Sequence, residues 1–571
     1  MQMQWKILQP ERTVVEQIRR RFECHPVTAT VLANRNIGSL DHLVRFIRPS
    51  LEDLPPPDAL QGLSAAVDRI IHALQNNEKI LVFGDYDADG VTAGVVMFNF
   101  LKAAGAQVSL HLPHRIHEGY GLKPMSIMQL ALPARIGLII TVDNGSSSFD
   151  AVTAARRFGI DVIITDHHNI EAGVPEAVAV VNPKMGPPSS ELADLAGVGV
   201  AFYLVIALRT ALRNMGWWRR DLPEPNLKAY CDLVAIGTLA DMVPLRNVNR
   251  VLVCAGLEQI NCGARIGVQA LLKSSGVKNI PISADDIAFR IAPRINAAGR
   301  LNSARIAFDL LTCDNLDSAA TLADDLSALN QRRQQMENDI FEHIIRHLEN
   351  RSDLLDRKAF VLAGAQWHEG VIGIVAAKLV ARYHRPVIVV SAKDDMAKGS
   401  GRSVPHIDLY AAISKCAHLL EAFGGHRLAA GISLQTKNIG ALQSAFETAV
   451  AEMTPSDEAG PQLTIDHELQ LDQICPQLID ELEWLSPFGT ENPPPLFMAR
   501  EVKVTRAAII GQRHRRMQLC QPDQCSPPIG AIEFNLAQDS PRLEAFEQLA
   551  FRLQWNRYKG EKEIQMIIEA Y

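Results

Sequence analysis

Five aspartates and two histidines occupy three short, widely separated segments, and their side chains are of the kinds that hold hard divalent cations. They are Asp85, Asp87 and Asp89 in Asp85-Tyr86-Asp87-Ala88-Asp89-Gly90, then Asp143, then the triplet Asp166-His167-His168. Carboxylates favour Mg2+ and Mn2+, and imidazole is accepted by Mn2+ and Zn2+. Two such ions, about 3.5–4 Å apart, can bridge a hydroxide and grip phosphoryl oxygens for in-line displacement. The chemistry on offer is hydrolysis of a phosphate ester. Asp241, following the apolar run 233–239, is a further carboxylate of the same kind.

Something must bring these side chains together. Strands predicted at 79–83, 137–142 and 161–165 lead directly into Asp85, Asp143 and Asp166. Further strands are predicted at 107–112 and 177–181, with helices at 91–104 and 149–158. Short apolar runs alternating with helical patterns mean βαβ units and a parallel sheet. Open parallel sheets bind ligands beyond the carboxyl ends of their strands, where all three segments fall. Other readings of the parts fail in combination. An EF-hand loop needs Glu six residues after its glycine, and that position is Val96. A phosphatase using two aspartates after a strand, one of them a covalent nucleophile, leaves His167 and His168 without a role. Asp143 before Asn144-Gly145 would by itself be a turn residue; its company gives it meaning.

A chain of 571 residues is too long for one core and implies about three or four domains. The N-terminal stretch lacks the apolar region of a signal peptide, and the longest apolar run, 198–208, is well short of the roughly 20 residues a membrane helix needs. No Cys-x-x-Cys pair occurs among the 9 cysteines, which argues against a zinc ribbon or disulfide framework and for a reducing, cytoplasmic setting without membrane contact. The net charge of −7 does not exclude a nucleic-acid substrate, because a binding track needs only local positive charge.

The expected architecture is α/β: a parallel-sheet catalytic lobe, a smaller α/β lobe and a C-terminal β-barrel that resembles an OB-fold. The division is 1–60 as an N-terminal segment, 61–316 as the catalytic domain, 317–350 as a connecting helix, 351–453 as the second lobe and 454–571 as the barrel. Residues 317–350 contain neither proline nor glycine and as one helix would span roughly 50 Å; two helices broken near Asn330 are the alternative. In the second lobe, strands are predicted at 359–362 and 387–390, a helix at 371–383 and a glycine-rich turn at 423–431. Residues 454–461 read as a linker, and short alternating runs at 501–505, 515–519, 549–554 and 563–568 fit a small barrel.

These segments, with Thr141-Val142-Asp143-Asn144-Gly145, Pro293-Arg294-Ile295-Asn296-Ala297-Ala298-Gly299-Arg300, Trp367-His368-Glu369-Gly370, Ser400-Gly401-Arg402-Ser403 and Phe423-Gly424-Gly425-His426, resemble the DHH/DHHA1 phosphoesterase superfamily over essentially the full chain. Within it the order of motifs resembles the branch of bacterial single-stranded-DNA exonucleases. The resemblance implies a metal-dependent 5′-to-3′ exonuclease of recombination and repair that releases 5′-mononucleotides with two Mn2+ or Mg2+ ions. It implies Asp87, Asp89, Asp143, His167 and Asp241 as ligands, Asp85 as an additional contact, His168 facing the scissile phosphate and Asp166 orienting the imidazoles. Many superfamily members carry His four residues before the position of Asp87, where this chain has Phe83; Asp85 is the residue placed to compensate.

Expected substrate contacts are Arg115, Arg294, Asn296, Arg300, Ser400, Arg402, Gly424, Gly425 and His426, Arg402 as a bidentate phosphate clamp and the glycines as a backbone approach to phosphate. In the barrel, Arg513-His514-Arg515-Arg516 is a candidate backbone track and Trp555 or Tyr558 a stacking platform. Implied partners are single-stranded DNA, a single-stranded-DNA-binding protein and a RecQ-type helicase, with the chain a monomer. The rival readings are a phosphodiesterase of short oligonucleotides or cyclic dinucleotides, disfavoured by the barrel and the length, and a catalytically silent single-strand-binding scaffold, disfavoured by the intact acidic set.

Overall fold

A computed structural model describes residues 4–571 except 171–172, 264, 279–280, 455–461, 512, 523–526, 537–542 and 558–561. The chain divides into two compact units, one made of 1–55, 242–255 and 459–571, the other of 56–241 and 256–458.

The larger unit begins with a five-stranded sheet in the order Gln107–His111, Lys79–Phe83, Leu138–Val142, Asp161–Thr165, Ala179–Val181, every neighbouring pair parallel. Leu138–Val142 is buried at every residue and Lys79–Phe83 at all but its first, which is why these strands read as unbroken apolar runs rather than alternating ones. The chain leaves Lys79–Phe83 to pair on one side and returns as Leu138–Val142 on the other. That reversal opens a crevice at the carboxyl ends of the two strands, where Asp85 and Asp143 emerge. Helix Ala88–Ala103 starts from Asp87 as its N-cap, whose Oδ1 accepts from the Gly90 N–H at 3.0 Å. The helix interior is nearly all buried.

Helix Ala292–Leu301, which bears Asn296 and Arg300, carries Pro293 in its first turn and is entered through a wider π-helical turn, Ile287–Ile291. A proline clashes with the carbonyl four residues back in an α-helix, and the wider turn relieves that clash.

Residues Leu316–Glu349 form one unbroken helix, so the single-helix reading of that stretch holds. Asn330 is buried within it and accepts from Arg333 rather than marking a break. The second lobe is a five-stranded sheet ordered Ala422–His426, Ala429–Gln435, Met396–Arg402, Val387–Lys393, Phe360–Ala365. Only its last pair is parallel.

The other unit holds a barrel: Phe497–Ile510 pairs with His514–Cys520 on one edge and with Ala545–Asn556 on the other, closing the sheet. Its core includes Phe497 and Phe551 together with Ile18, Val27, Leu32 and Leu43 of the N-terminal helices. The strand Gln4–Ile7 pairs in parallel with Gln462–Ile465. The N-terminal residues are thus part of the barrel's packing, which their sequence did not announce. Arg250 is 2% exposed and donates to the carbonyls of Phe46, Trp484, Leu485, Ser486 and Pro487; its guanidinium also lies 3.8 Å from the centre of the Phe46 ring.

The basic run in the barrel is not a continuous exposed track. Arg515 is buried and pairs with Glu533 at 3.3 Å, because it points into the barrel while its neighbours alternate outward. Trp555 donates to Asp480 at 2.8 Å and its ring is covered by Lys562 at 4.1 Å, leaving that face unavailable to a base. Tyr558 and the linker residues 455–461 lie outside the described residues. Among the described residues, no single helix is long and apolar enough to cross a membrane.

Candidate active site

The carboxylates and imidazoles converge as the strand ends predict. Ligand atoms of Asp85, Asp87 and Asp143 lie within 4.8 Å of one another; so do those of Asp89, His167 and Asp241, and those of Asp143, His167 and His168. His167 Nε2 stands 3.1 Å from Asp143 Oδ1, 3.6 Å from Asp241 Oδ2 and 3.8 Å from Asp89 Oδ2. Asp143 and His167 each belong to two of the three groups. Phe83 is fully buried against His111 and offers no ligand atom, while Asp85 lies with Asp87 and Asp143 in one of the three groups.

Several main-chain devices hold these groups. Gly90 cannot carry a Cβ, which would fall 2.6 Å from the Asp85 backbone nitrogen; glycine there lets the helix start press against Asp85. Asp143 has φ 63°, a left-handed conformation that aspartate tolerates better than most residues. Asp89 accepts at its two carboxylate oxygens from the N–H groups of Gly197 (2.7 Å) and Val198 (2.9 Å), at the start of helix Gly197–Asn214, where the unpaired N–H groups and the dipole favour a carboxylate. Asn144 donates to the Phe83 and Val142 carbonyls and locks the two central strands at the crevice. Asn296 Oδ1 accepts from the Ala88 N–H at 2.8 Å.

The electrostatics are those of a cation site. Burial, followed by repulsion from neighbouring aspartates, raises the pKa of Asp85, Asp89 and Asp143 well above the carboxylate range, and burial with Asp87 raises Asp241 to about 7. Burial and then the charge of His168 lower His167 to about 3, the neutral form a ligand needs. Asp143 Oδ1, Asp85 Oδ1 and His167 Nε2 are buried without a hydrogen-bond partner. Buried polar atoms without partners are costly, and hard divalent cations supply what these lack, so the donor set fits Mn2+ or Mg2+.

His168 stands apart. Its Nδ1 is 2.7 Å from Asp166 Oδ1, and its side chain is 40% exposed. Burial opposes its charge, but the hydrogen bond and charge of Asp166, with Asp241 and Asp87, raise its pKa to about 9. Asp166 also accepts from the N–H groups of His167, His168 and Ser146. Burial would raise its pKa; the His168 bond and charge and these amides overcome that and hold it well below the carboxylate range.

The expected substrate contacts separate. Arg115, Ser400 and Gly424 line a cleft of about 430 Å³ with Glu369, Gly370 and Lys398. Arg115 lies over the Tyr86 ring at 4.9 Å, beside the acidic loop. Arg300 donates to the Gly370 carbonyl; burial and then the charges of Arg115 and Arg333 lower its pKa to about 10. Burial and Arg115 likewise lower that of Arg402, which donates to the Gly401 carbonyl and Ser400.

Arg294 is not among them. Its guanidinium is spent on Ser327 Oγ (3.0 Å) and the carbonyls of Arg290 and Ser275, because its helix position faces the long helix. Asn296 braces the metal loop instead of reaching toward a ligand. Gly425 serves the hairpin: its φ is 148° and a Cβ would fall 2.4 Å from the Ala429 carbonyl. His426 ends the same strand and pairs with Ala429, outside the cleft lining. Motif reading quoted Asn144 without giving it a role, and missed Gly197, Asn182, which donates to Ser146 Oγ and the His168 carbonyl, and Tyr120, whose hydroxyl is 3.1 Å from His168 Nδ1. Asn144 carried a signal in its place beside Asp143, and Tyr120 in its place between Gly119 and Gly121 after a predicted strand.

Three family models match: the DHH family N-terminal domain over 79–238, the DHHA1 domain over 356–452 and the RecJ OB domain over 465–570. The chain is 36% identical to a single-stranded-DNA-specific exonuclease RecJ of Dickeya dadantii, covering 97% of this chain and 99% of that one. It is 34% identical to the Escherichia coli protein of the same description, over 99% of both. A crystal structure of RecJ with Mn2+ from Thermus thermophilus superposes with a TM-score of 0.83 at 30% identity, over 100% of this chain and 79% of that one.

Proposed function

This chain belongs to the RecJ family, and from that premise we propose that it is a metal-dependent exonuclease specific for single-stranded DNA, degrading it from the 5′ end to 5′-mononucleotides. The observation that carries this reading is one continuous arrangement. Two overlapping carboxylate and imidazole sets with unsatisfied buried atoms lie beside a cleft into which Arg115, Ser400 and Gly424 open.

Asp85, Asp87 and Asp143 would hold one cation, and Asp89, His167 and Asp241 the other. Bound Mn2+ or Mg2+ ions supply Lewis acidity toward the phosphoryl oxygens and lower the pKa of the attacking water. Asp166 keeps the His168 Nδ1 proton engaged, so Nε2 is the atom free to face the phosphate. As the new P–O bond forms and the P–O3′ bond breaks, the Nε2 proton passes to the departing 3′ oxygen. Arg115 on the cleft wall, with the charges of Arg300 and Arg402 close to it, holds the terminal 5′ phosphate, so cleavage falls one nucleotide in, which sets both polarity and product.

Residues 61–316 perform the chemistry, 351–453 grip the 5′ end and 454–571 bind the strand beyond it. The protein works as a cytoplasmic monomer in recombination and repair. A single-stranded-DNA-binding protein and a RecQ-type helicase are partners because both deliver single strands. The test is a product analysis with Mn2+ on 5′- and 3′-labelled single strands and on duplex. Mononucleotides released from the 5′ end of single strands are expected; attack from the 3′ end or equal attack on duplex would refute the reading.

A further inference from the structure

Tyr120 takes no part in the reaction as drawn above, yet it touches two of its members. Its hydroxyl lies 3.1 Å from Nδ1 of His168 and 3.3 Å from the backbone carbonyl of Asp143. The two rings meet edge to face at 5.5 Å. Nδ1 also lies 2.7 Å from Asp166 Oδ1, and one bonding scheme satisfies all three contacts: Nδ1–H is shared between the Asp166 carboxylate and the Tyr120 oxygen, and the Tyr120 hydroxyl donates to the Asp143 carbonyl. The left-handed backbone of Asp143 presents that carbonyl to the hydroxyl. Tyr120 therefore ties the ring of His168 to the main chain of Asp143, a member of two of the ligand groups.

The loop that brings Tyr120 there is built for the purpose. Gly119 and Gly121 on either side have φ of 76° and 77°, a conformation costly for any residue with a Cβ. Glu118 anchors the turn by accepting from the His114 N–H at 2.7 Å and by its contact with His111 at 2.8 Å, at the end of strand Gln107–His111. Lys123 donates to the Glu118 carbonyl. The Tyr120 residue as a whole is 38% exposed, so the hydroxyl is committed to the site while part of the ring stays open. An aromatic residue kept only for packing would be buried the other way round.

We propose that Tyr120 is a positioning residue for His168: its hydroxyl and Asp166 together fix the imidazole so that Nε2 meets the departing 3′ oxygen. The proposal rests on the assignment of His168 as proton donor. Tyr120→Phe removes the hydroxyl and keeps the ring. On single-stranded DNA it should lower kcat about tenfold with KM within about twofold, while Mn2+ affinity by calorimetry and the melting temperature stay those of the wild type. The same variant is then compared on an oligonucleotide whose first scissile 3′ oxygen is replaced by sulfur, a leaving group that needs no proton. There the defect should shrink to less than about twofold.

An unchanged kcat, a raised KM with kcat retained, or an equal loss on both substrates would overturn the proposal. The equal loss would place Tyr120 in the service of the cations instead. Failure of the wild-type chain to cleave either strand refutes the functional reading itself and is distinguishable from all of these.

Discussion

Replacing Asp143 by Asn separates what this carboxylate does for function from what it does for the fold. The residue is 1% exposed, its carboxylate 3.1 Å from His167 Nε2 and shared between two ligand groups. Asparagine has the same shape and adopts the left-handed backbone readily, and its amide can donate to the neutral imidazole, so the fold should survive. In the metal-free protein burial, then Asp89, Asp87, Asp85 and Asp241, penalise the ionised form of Asp143, and asparagine has no ionised form to penalise. Stability without metal should therefore be unchanged or higher. With metal the order reverses. At a Mn2+ concentration about 100 times the dissociation constant, the wild type gains about 2.7 kcal/mol per site. If losing this ligand weakens binding about 100-fold, the gain at that concentration falls to about 0.4 kcal/mol. The cations' share of catalysis is several kcal/mol, and losing about 4 kcal/mol of it costs roughly a thousandfold in rate. Thermal melts with and without Mn2+, set beside single-turnover cleavage of 5′-labelled single strands, measure both sides. Cleavage within tenfold of wild type, or a metal-free stability that falls along with activity, would refute the reasoning, since the first denies a ligand and the second makes Asp143 a structural group.

Three further outcomes follow from the same geometry. Gly197→Ala places a Cβ 2.4 Å from Asp143 Oδ1 and should weaken Mn2+ binding and kcat about 10- to 100-fold with the melting temperature nearly unchanged, as calorimetry and turnover would show. Cation binding must displace protons from carboxyls whose pKa values are raised, Asp241 to about 7. Titrations in buffers of different ionisation enthalpy should show proton release, and affinity should rise about tenfold between pH 6 and 8 from Asp241 alone. Over the same window the metal-free protein should lose stability, because it holds protons that the unfolded chain has already released. Arg250→Met leaves buried carbonyls of Phe46 and of Trp484 to Pro487 without their donor. It should cost about 3–5 kcal/mol in urea denaturation of its own unit, with Mn2+ affinity retained.

The chemical inventory was legible in the chain itself. Asp85 to Gly90, Asp143 and Asp166 to His168 each follow an apolar run that is buried on both faces, and the sheet rule that places ligands at strand ends depends only on that alternation. The 34-residue helix was legible for a similar reason, since neither proline nor glycine interrupts it. The roles of single polar residues were not. Arg294 and Arg300 lie in one helix six residues apart; one spends its guanidinium on Ser327 and nearby carbonyls, the other sits among Arg115, Arg333 and Arg402. Composition cannot tell them apart, because a guanidinium's role depends on which neighbours its helix face meets.

Likewise Gly425 and Gly424 are adjacent, yet only Gly424 opens into the cleft, a distinction that strand pleat and pairing register impose. Arg515 shows the same effect in the barrel, where alternation buries it while its neighbours face outward. Sequence alone determined the kinds of ligand, their order and the strands that deliver them, since those follow from local periodicity. Tertiary structure decided that Asp143 falls in two of the ligand groups, that Gly197 and Val198 hold Asp89, and that Tyr120 reaches His168. The hydrogen bonds among these join residues from 48 to 109 positions apart, and only the packed chain brings such groups within reach of one another.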